Sequence, residues 1–268
     1  MNYEPDNTEK FRIVMNNYRM FGLWTTMKSS LAYYLSQLPQ DDFDRKYGVA
    51  TTGYVEPDEA GIADETARIH AIRYAPTREE VMRHLLHNSL KSVTPKEFAF
   101  IDLGCGMGRV LFIAARFPFS EIIGVELSPI HCETAIRNRD RFLSQTGPHV
   151  QCRNIRVECA NVLTFAFPHT NLMIYMYRPF LEPIFSGVLD RLCEFQRTTG
   201  RKVLIAYSCP LEEGLLEKHR QFVKVQECQV ISLEHSWSLW ECQAAPRCAS
   251  NARSVGNERT IHTSHAEV

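Results

Sequence analysis

The chain has 268 residues, 44% of them hydrophobic, and a formal net charge of −1. That length suits one large domain with additions, and no apolar run approaches the length of a membrane span. The near-neutral charge gives no global reason to expect a nucleic-acid partner, although a local basic patch stays open.

Residues 1 to about 40 predict two helices. Phe11, Val14, Met15 and Tyr18 share one face, and Leu31, Tyr34, Leu35 and Leu38 share another. Residues 41–46 form a charged, solvated connector. Residues 47–72 are polar and irregular, with room for one short helix, a length found in lids and binding loops. Tyr74-Ala-Pro-Thr77 follows. Thr77 with Glu80 fits a capping box for a helix whose apolar face is Val81, Leu85 and Leu86.

The stretch from Phe98 to Gly108 organises the chain. Phe98 to Leu103 is the apolar run of a buried parallel strand, with Asp102 near its end. Gly104, Cys105, Gly106, Met107 and Gly108 make a GxGxG turn, and Val110, Ile113, Ala114 and Phe117 open an amphipathic helix. Such a turn lets backbone approach a ligand, and the helix start offers unpaired N–H groups. About twenty residues on, Ile122 to Val125 forms a second strand that ends in Glu126, placed to accept from ribose hydroxyls. Strand, glycine turn, helix, strand and acid make a nucleotide-binding half-fold. The dinucleotide fingerprint needs GxGxxG, whereas Arg109 stands at its last position here. Asp102 would also repel a pyrophosphate. A cationic, phosphate-free cofactor tolerates it, and S-adenosyl-L-methionine (SAM) is one.

Ser128-Pro129 predicts the next helix start, with Cys132, Ala135, Ile136 and Leu143 as its buried stripe and His131 exposed. Gly147-Pro148 breaks the chain. A third strand, Ile155 to Cys159, leads into Asn161. A fourth, Asn171 to Tyr177, ends in Arg178-Pro-Phe180. Leu181, Ile184, Phe185, Val188 and Leu192 give a helix, Lys202 to Tyr207 a fifth strand, and residues 211–219 a short helix. Residues 222–233 and 236–242 pair as a hairpin, and the polar stretch from 244 predicts disorder. Nine scattered cysteines, with no CxxC pair and no readable zinc site, predict reduced thiols. The polar N-terminus predicts no secretory signal, and the chain reads as cytoplasmic.

Asp102-Leu-Gly-Cys-Gly-Met-Gly108, with Gly124-Val-Glu126 behind it, resembles the class I SAM-dependent methyltransferases. The resemblance covers about residues 70–242. It implies an α/β, doubly wound, seven-stranded Rossmann-like methyltransferase sheet of order 3-2-1-4-5-7-6. A helical and loop extension (1–72) precedes the methyltransferase domain (73–243), and a tail (244–268) follows. It implies SAM as cofactor. Gly104, Cys105, Gly106 and Gly108 would hold the methionine part, with Asp102 ordering the loop or reaching the ammonium group. Glu126 would take the ribose, beside Leu127, and Asn161 the adenine edge, where an acid is commoner. Tyr74 or Thr77 would touch SAM.

Tyr177 and Arg178 are the acceptor-side candidates, because residues after strand four face the switch in strand order. Related methyltransferases often carry an Asn-Pro-Phe motif there. Arg178 cannot accept a hydrogen bond and suits an anionic small molecule or protein as methyl acceptor.

A closer likeness runs to bacterial, largely uncharacterised methyltransferases, through Phe43-Asp-Arg-Lys-Tyr-Gly48, Tyr74-Ala-Pro-Thr77 and Asp102 to Val110. Those proteins are distantly similar to the non-SET histone-lysine methyltransferases. Histone is not carried over as a substrate, since this chain has no strongly basic tail. Two rivals stay open: a non-catalytic SAM-fold partner protein, and an NAD-dependent oxidoreductase.

Overall fold

The computed structural model describes residues 42–53, 55–145, 149–228 and 236–243. The two helices expected in residues 1–40, the chain break at 147–148 and the disorder expected from 244 lie outside them. Seven strands form one sheet: β1 (Phe98–Leu103), β2 (Glu121–Glu126), β3 (Ile155–Cys159), β4 (Asn171–Tyr177), β5 (Val203–Ser208), β6 (Phe222–Cys228) and β7 (Trp237–Cys242). Their order is β3-β2-β1-β4-β5-β7-β6, as the resemblance implies. The first five run parallel, and β7 is antiparallel to both β5 and β6.

The helices are α1 (Phe43–Tyr47), α2 (Glu65–His70), α3 (Glu79–Ser89), α4 (Arg109–Ala114), α5 (Pro129–Gln145), α6 (Ile184–Thr199) and α7 (Glu213–Lys218). Strand residues alternate between two cores because successive side chains point to opposite faces. Along β1, Phe98 and Phe100 face one core with Leu86 of α3, Phe112 of α4 and Phe142 of α5. Ala99, Ile101 and Leu103 face the other, with Phe185 and Leu192 of α6 and Leu216 of α7. A sheet covered on both faces needs the unbroken apolar runs seen in β1 and β4.

Four local expectations are corrected. The helix at Thr77 begins at Glu79, with Arg78 as N-cap and no side-chain capping bond. Thr77 is buried instead, its hydroxyl 3.4 Å from that of Tyr175. The charged connector is not simply solvated: it contains α1, and Phe43 is buried in the core. His131 is buried, at 5% exposure. Cys132 and Cys159 are joined in a disulfide that links α5 to the end of β3. The other described cysteines are free.

Ser128 does cap α5. Its Oγ accepts from the His131 N–H at 3.1 Å and donates to the Ala60 carbonyl.

Candidate cofactor and acceptor cleft

The carboxyl ends of β1, β2 and β4 open onto one cleft. After β1 the chain turns back at once, and the Gly104 and Cys105 N–H groups both donate to the Val125 carbonyl, at 2.8 and 3.1 Å. Gly104 and Gly106 have φ of +82° and +52°, where a Cβ is strained. Both glycines are also covered. A Cβ on Gly106 would lie 2.2 Å from the Tyr74 ring, and one on Gly104 would lie 2.5 Å from Pro179 Cβ. The glycines therefore admit two of the chain's own side chains against the turn.

Glu126 points back at that turn. One carboxylate oxygen accepts from the Gly106 N–H and the other from the Ser128 N–H, each at 2.8 Å. His131 Nδ1 stands 3.9 Å from the same carboxylate, while its buried Nε2 has no hydrogen-bond partner. Burial pushes the His131 imidazole below its usual value, and Glu126 partly offsets the shift.

Asp102 is 3% exposed, and no hydrogen-bond donor among the described residues reaches its carboxyl. Burial first, and the Glu126 carboxylate second, push that carboxyl well above the ordinary range. Two acids thus border the turn, and one of them favours its proton.

Residues 70–74 form a strap over the opening. The Ile72 N–H donates to the Pro179 carbonyl at 3.3 Å, and the Leu181 N–H to the His70 carbonyl at 2.9 Å. The Tyr74 N–H bonds to the Val55 carbonyl, and its phenol donates to the Thr51 carbonyl at 2.7 Å.

A network that sequence reasoning missed anchors this strap. Arg109, at the start of α4, is 4% exposed. Its Nε donates to Thr51 Oγ1 at 2.7 Å, and its Nη2 to Thr52 Oγ1 at 3.1 Å and Asp44 at 3.4 Å. Its guanidinium also lies 4.7 Å from the centre of the Phe43 ring. Asp44 accepts from the N–H groups of Thr51 and Thr52, both at 2.8 Å. Asn138 of α5 holds Ala50 by both backbone groups and accepts no less a role at the turn, donating to the Met107 carbonyl at 3.0 Å. One signal was available: a cation at a helix N-terminus opposes the dipole, so Arg109 needed an acid from elsewhere.

Of the candidate residues, Thr77, Asp102, Gly104, Cys105, Gly106, Glu126, Leu127, Asn161, Tyr177 and Arg178 all line the cleft. Gly108 does not; it lies against Phe112 and Ala135. Asn161 lines the cleft as a turn residue, its Oδ1 accepting from the Leu163 N–H at 2.8 Å. Cys105 is buried, and burial raises its thiol well above the usual value, so it offers no thiolate. Among the described residues no group of acids, histidines and cysteines could hold a metal ion.

No family model matches the chain. A curated protein-lysine N-methyltransferase from Saccharolobus islandicus (strain REY15A) is 32% identical over 71 residues, 26% of this chain. The chain thus spans 42% of that protein's length. Among solved structures, magnesium protoporphyrin IX methyltransferase from Synechocystis PCC 6803 with bound SAM is 12% identical, with a TM-score of 0.44. That match covers 91% of this chain and 100% of the other. An RNA methyltransferase from Salinibacter ruber in complex with S-adenosyl-L-homocysteine is 16% identical, with a TM-score of 0.42, covering 65% and 97%. The strand order, read from the sheet itself, gives this chain the fold of the class I SAM-dependent methyltransferases.

Proposed function

We propose that the chain binds SAM in this cleft and transfers its methyl group to an acceptor. The observation that carries the reading is the pair of buried acids, Asp102 and Glu126, on either side of a glycine turn at the ends of adjacent parallel strands. A diphosphate would meet the Glu126 carboxylate and a second acid there, whereas an arriving sulfonium and ammonium are attracted to Glu126 and favour ionisation of Asp102. The likeness to a curated methyltransferase supports it.

When bound, SAM supplies an activated methyl group, whose bond to sulfur breaks as the acceptor's lone pair bonds to carbon. The chain's part is to bind, orient and exclude water. Glu126, fixed by two N–H donors, keeps lone pairs for the ribose hydroxyls. Asn161 offers its amide nitrogen to the adenine edge, beside Leu127. Asp102 balances the cationic end of the methionine part. Thr77 and Tyr175 form the wall next to it, and Tyr177 and Arg178 face the acceptor.

The cavity holds about 130 Å³, close to one that takes a benzene molecule. A nucleoside is larger, so the Tyr74 ring and Pro179 must give way from the turn. Among the described residues no helix is long and apolar enough to cross a membrane.

One observation favours a second reading, a non-catalytic partner protein: the chain's own side chains rest on both glycines. Calorimetric titration with SAM, S-adenosylhomocysteine and NAD tests the cofactor. SAM and its product should bind and NAD should not; the reverse, or no binding, overturns the proposal. Labelled SAM incubated with protein, RNA and small-molecule fractions then separates transfer from mere binding.

A further inference from the structure

Arg178 is the last unexplained charge in the cleft. It directly follows β4, at the switch between β1 and β4 in the strand order. Its φ of +41° is left-handed, a strained conformation for an L-residue. Its Nε is buried with no hydrogen-bond partner. No carboxylate among the described residues lies within ion-pair distance of its guanidinium, although Arg109 meets Asp44 and Arg73 meets Glu56. The next residue, Pro179, rests on Gly104. Arg178 therefore lines the cleft with no counter-charge among the described residues.

A partly buried cation without a partner is costly, and an arriving anion removes that cost. We infer that Arg178 is the receptor for an anionic group, a carboxylate or a phosphate, on a small-molecule methyl acceptor. The inference rests on the SAM reading and names its substrate class. The planar guanidinium pairs with either group through two parallel hydrogen bonds. The same charge repels a lysine ammonium, so the activity in the name of the curated relative does not fit this end of the cleft. Tyr177, Phe180 and Ile184 line the cleft around the arginine and suit an acceptor with an apolar body.

The test is calorimetry on the full chain, with and without S-adenosylhomocysteine. Benzoate, phenyl phosphate, neutral benzamide and cationic benzylamine serve as probes. Benzoate or phenyl phosphate should bind and the other two should not; whichever anion binds more tightly identifies the group. Arg178→Ala and Arg178→Gln should weaken that binding roughly tenfold or more, and Arg178→Lys should keep part of it. S-adenosylhomocysteine affinity should stay within twofold. Anion binding that is absent, or unchanged in these folded variants, overturns the inference.

The cofactor's own carboxylate is the other source of the same chemistry. If Arg178→Ala weakens S-adenosylhomocysteine but leaves methylthioadenosine unaffected, Arg178 serves the cofactor and the acceptor assignment falls. If S-adenosylhomocysteine fails to bind the unaltered protein, the SAM reading fails. Arg178-dependent binding of the anionic probes still decides the receptor role in that case.

Discussion

Arg109 Nε donates to Thr51 Oγ1 over 2.7 Å, and Thr51 in turn donates to Asp44. This chain of bonds joins the helix behind the glycine turn to the segment that holds Tyr74. Removing Arg109 leaves Asp44 and two threonines short of a buried donor. Arg109→Ala should lower unfolding free energy by about 2–4 kcal/mol. Asp44→Asn should cost less, because Asp44 is partly exposed. Urea unfolding of the two variants checks both, and equal costs would show that the network does not depend on the charge pair.

The contact between Gly106 and the Tyr74 ring predicts a coupled pair. Gly106→Ala places a Cβ into that ring at a positive φ, and should destabilise by more than about 2 kcal/mol. Tyr74→Ala removes the clash but not the backbone strain. The double variant should therefore be more stable than the sum of the two single effects, by at least about 0.5 kcal/mol. Strict additivity in the thermodynamic cycle would mean that the ring does not press on the turn.

Asp102 sets stability against affinity. Its folded carboxyl binds a proton more tightly than in the unfolded chain. Its favourable contribution is complete below the ordinary carboxylate range and is lost as pH rises through the raised folded value. Asp102→Asn should flatten this slope and raise stability near neutral pH by at least about 1 kcal/mol. On the SAM reading the same variant should weaken SAM, because an amide cannot ionise as the sulfonium and ammonium arrive. Denaturation against pH, paired with SAM titration, tests the two signs separately.

His131 works in the opposite direction. Its folded value is depressed below 6.5 by burial. Its contribution is present above that value and lost as pH falls through the lowered one. His131→Gln should make stability less sensitive to acid below pH 6.5 while leaving the neutral plateau within about 1 kcal/mol. An unchanged acid limb would assign the loss to other groups.

What the sequence made legible was whatever a local pattern encodes. Strand β1, its glycines and the acid at the end of β2 lie within one unit of chain, and apolar runs with a turn between them suffice to place them. The Ser128 cap was readable for the same reason. The burial of His131 was not, because it depends on Tyr74, whose ring centre is 5.2 Å away in space but far off in sequence. Thr77 misled for a related reason. Its hydroxyl suits a cap, but the Tyr175 hydroxyl from β4 lies beside it, and the helix starts two residues later. Asp44 and Arg109 pair across 65 positions, and no periodicity records such a partnership.

Asn138 grips both Ala50 and the Met107 carbonyl, and Phe43 fills a seat in the sheet's own core. The segment around Phe43 and Ala50 is thus a keystone of the fold. A shortened polypeptide beginning at Phe98 would lack one wall of the cleft, and its uncovered aromatic surface would drive it to self-associate.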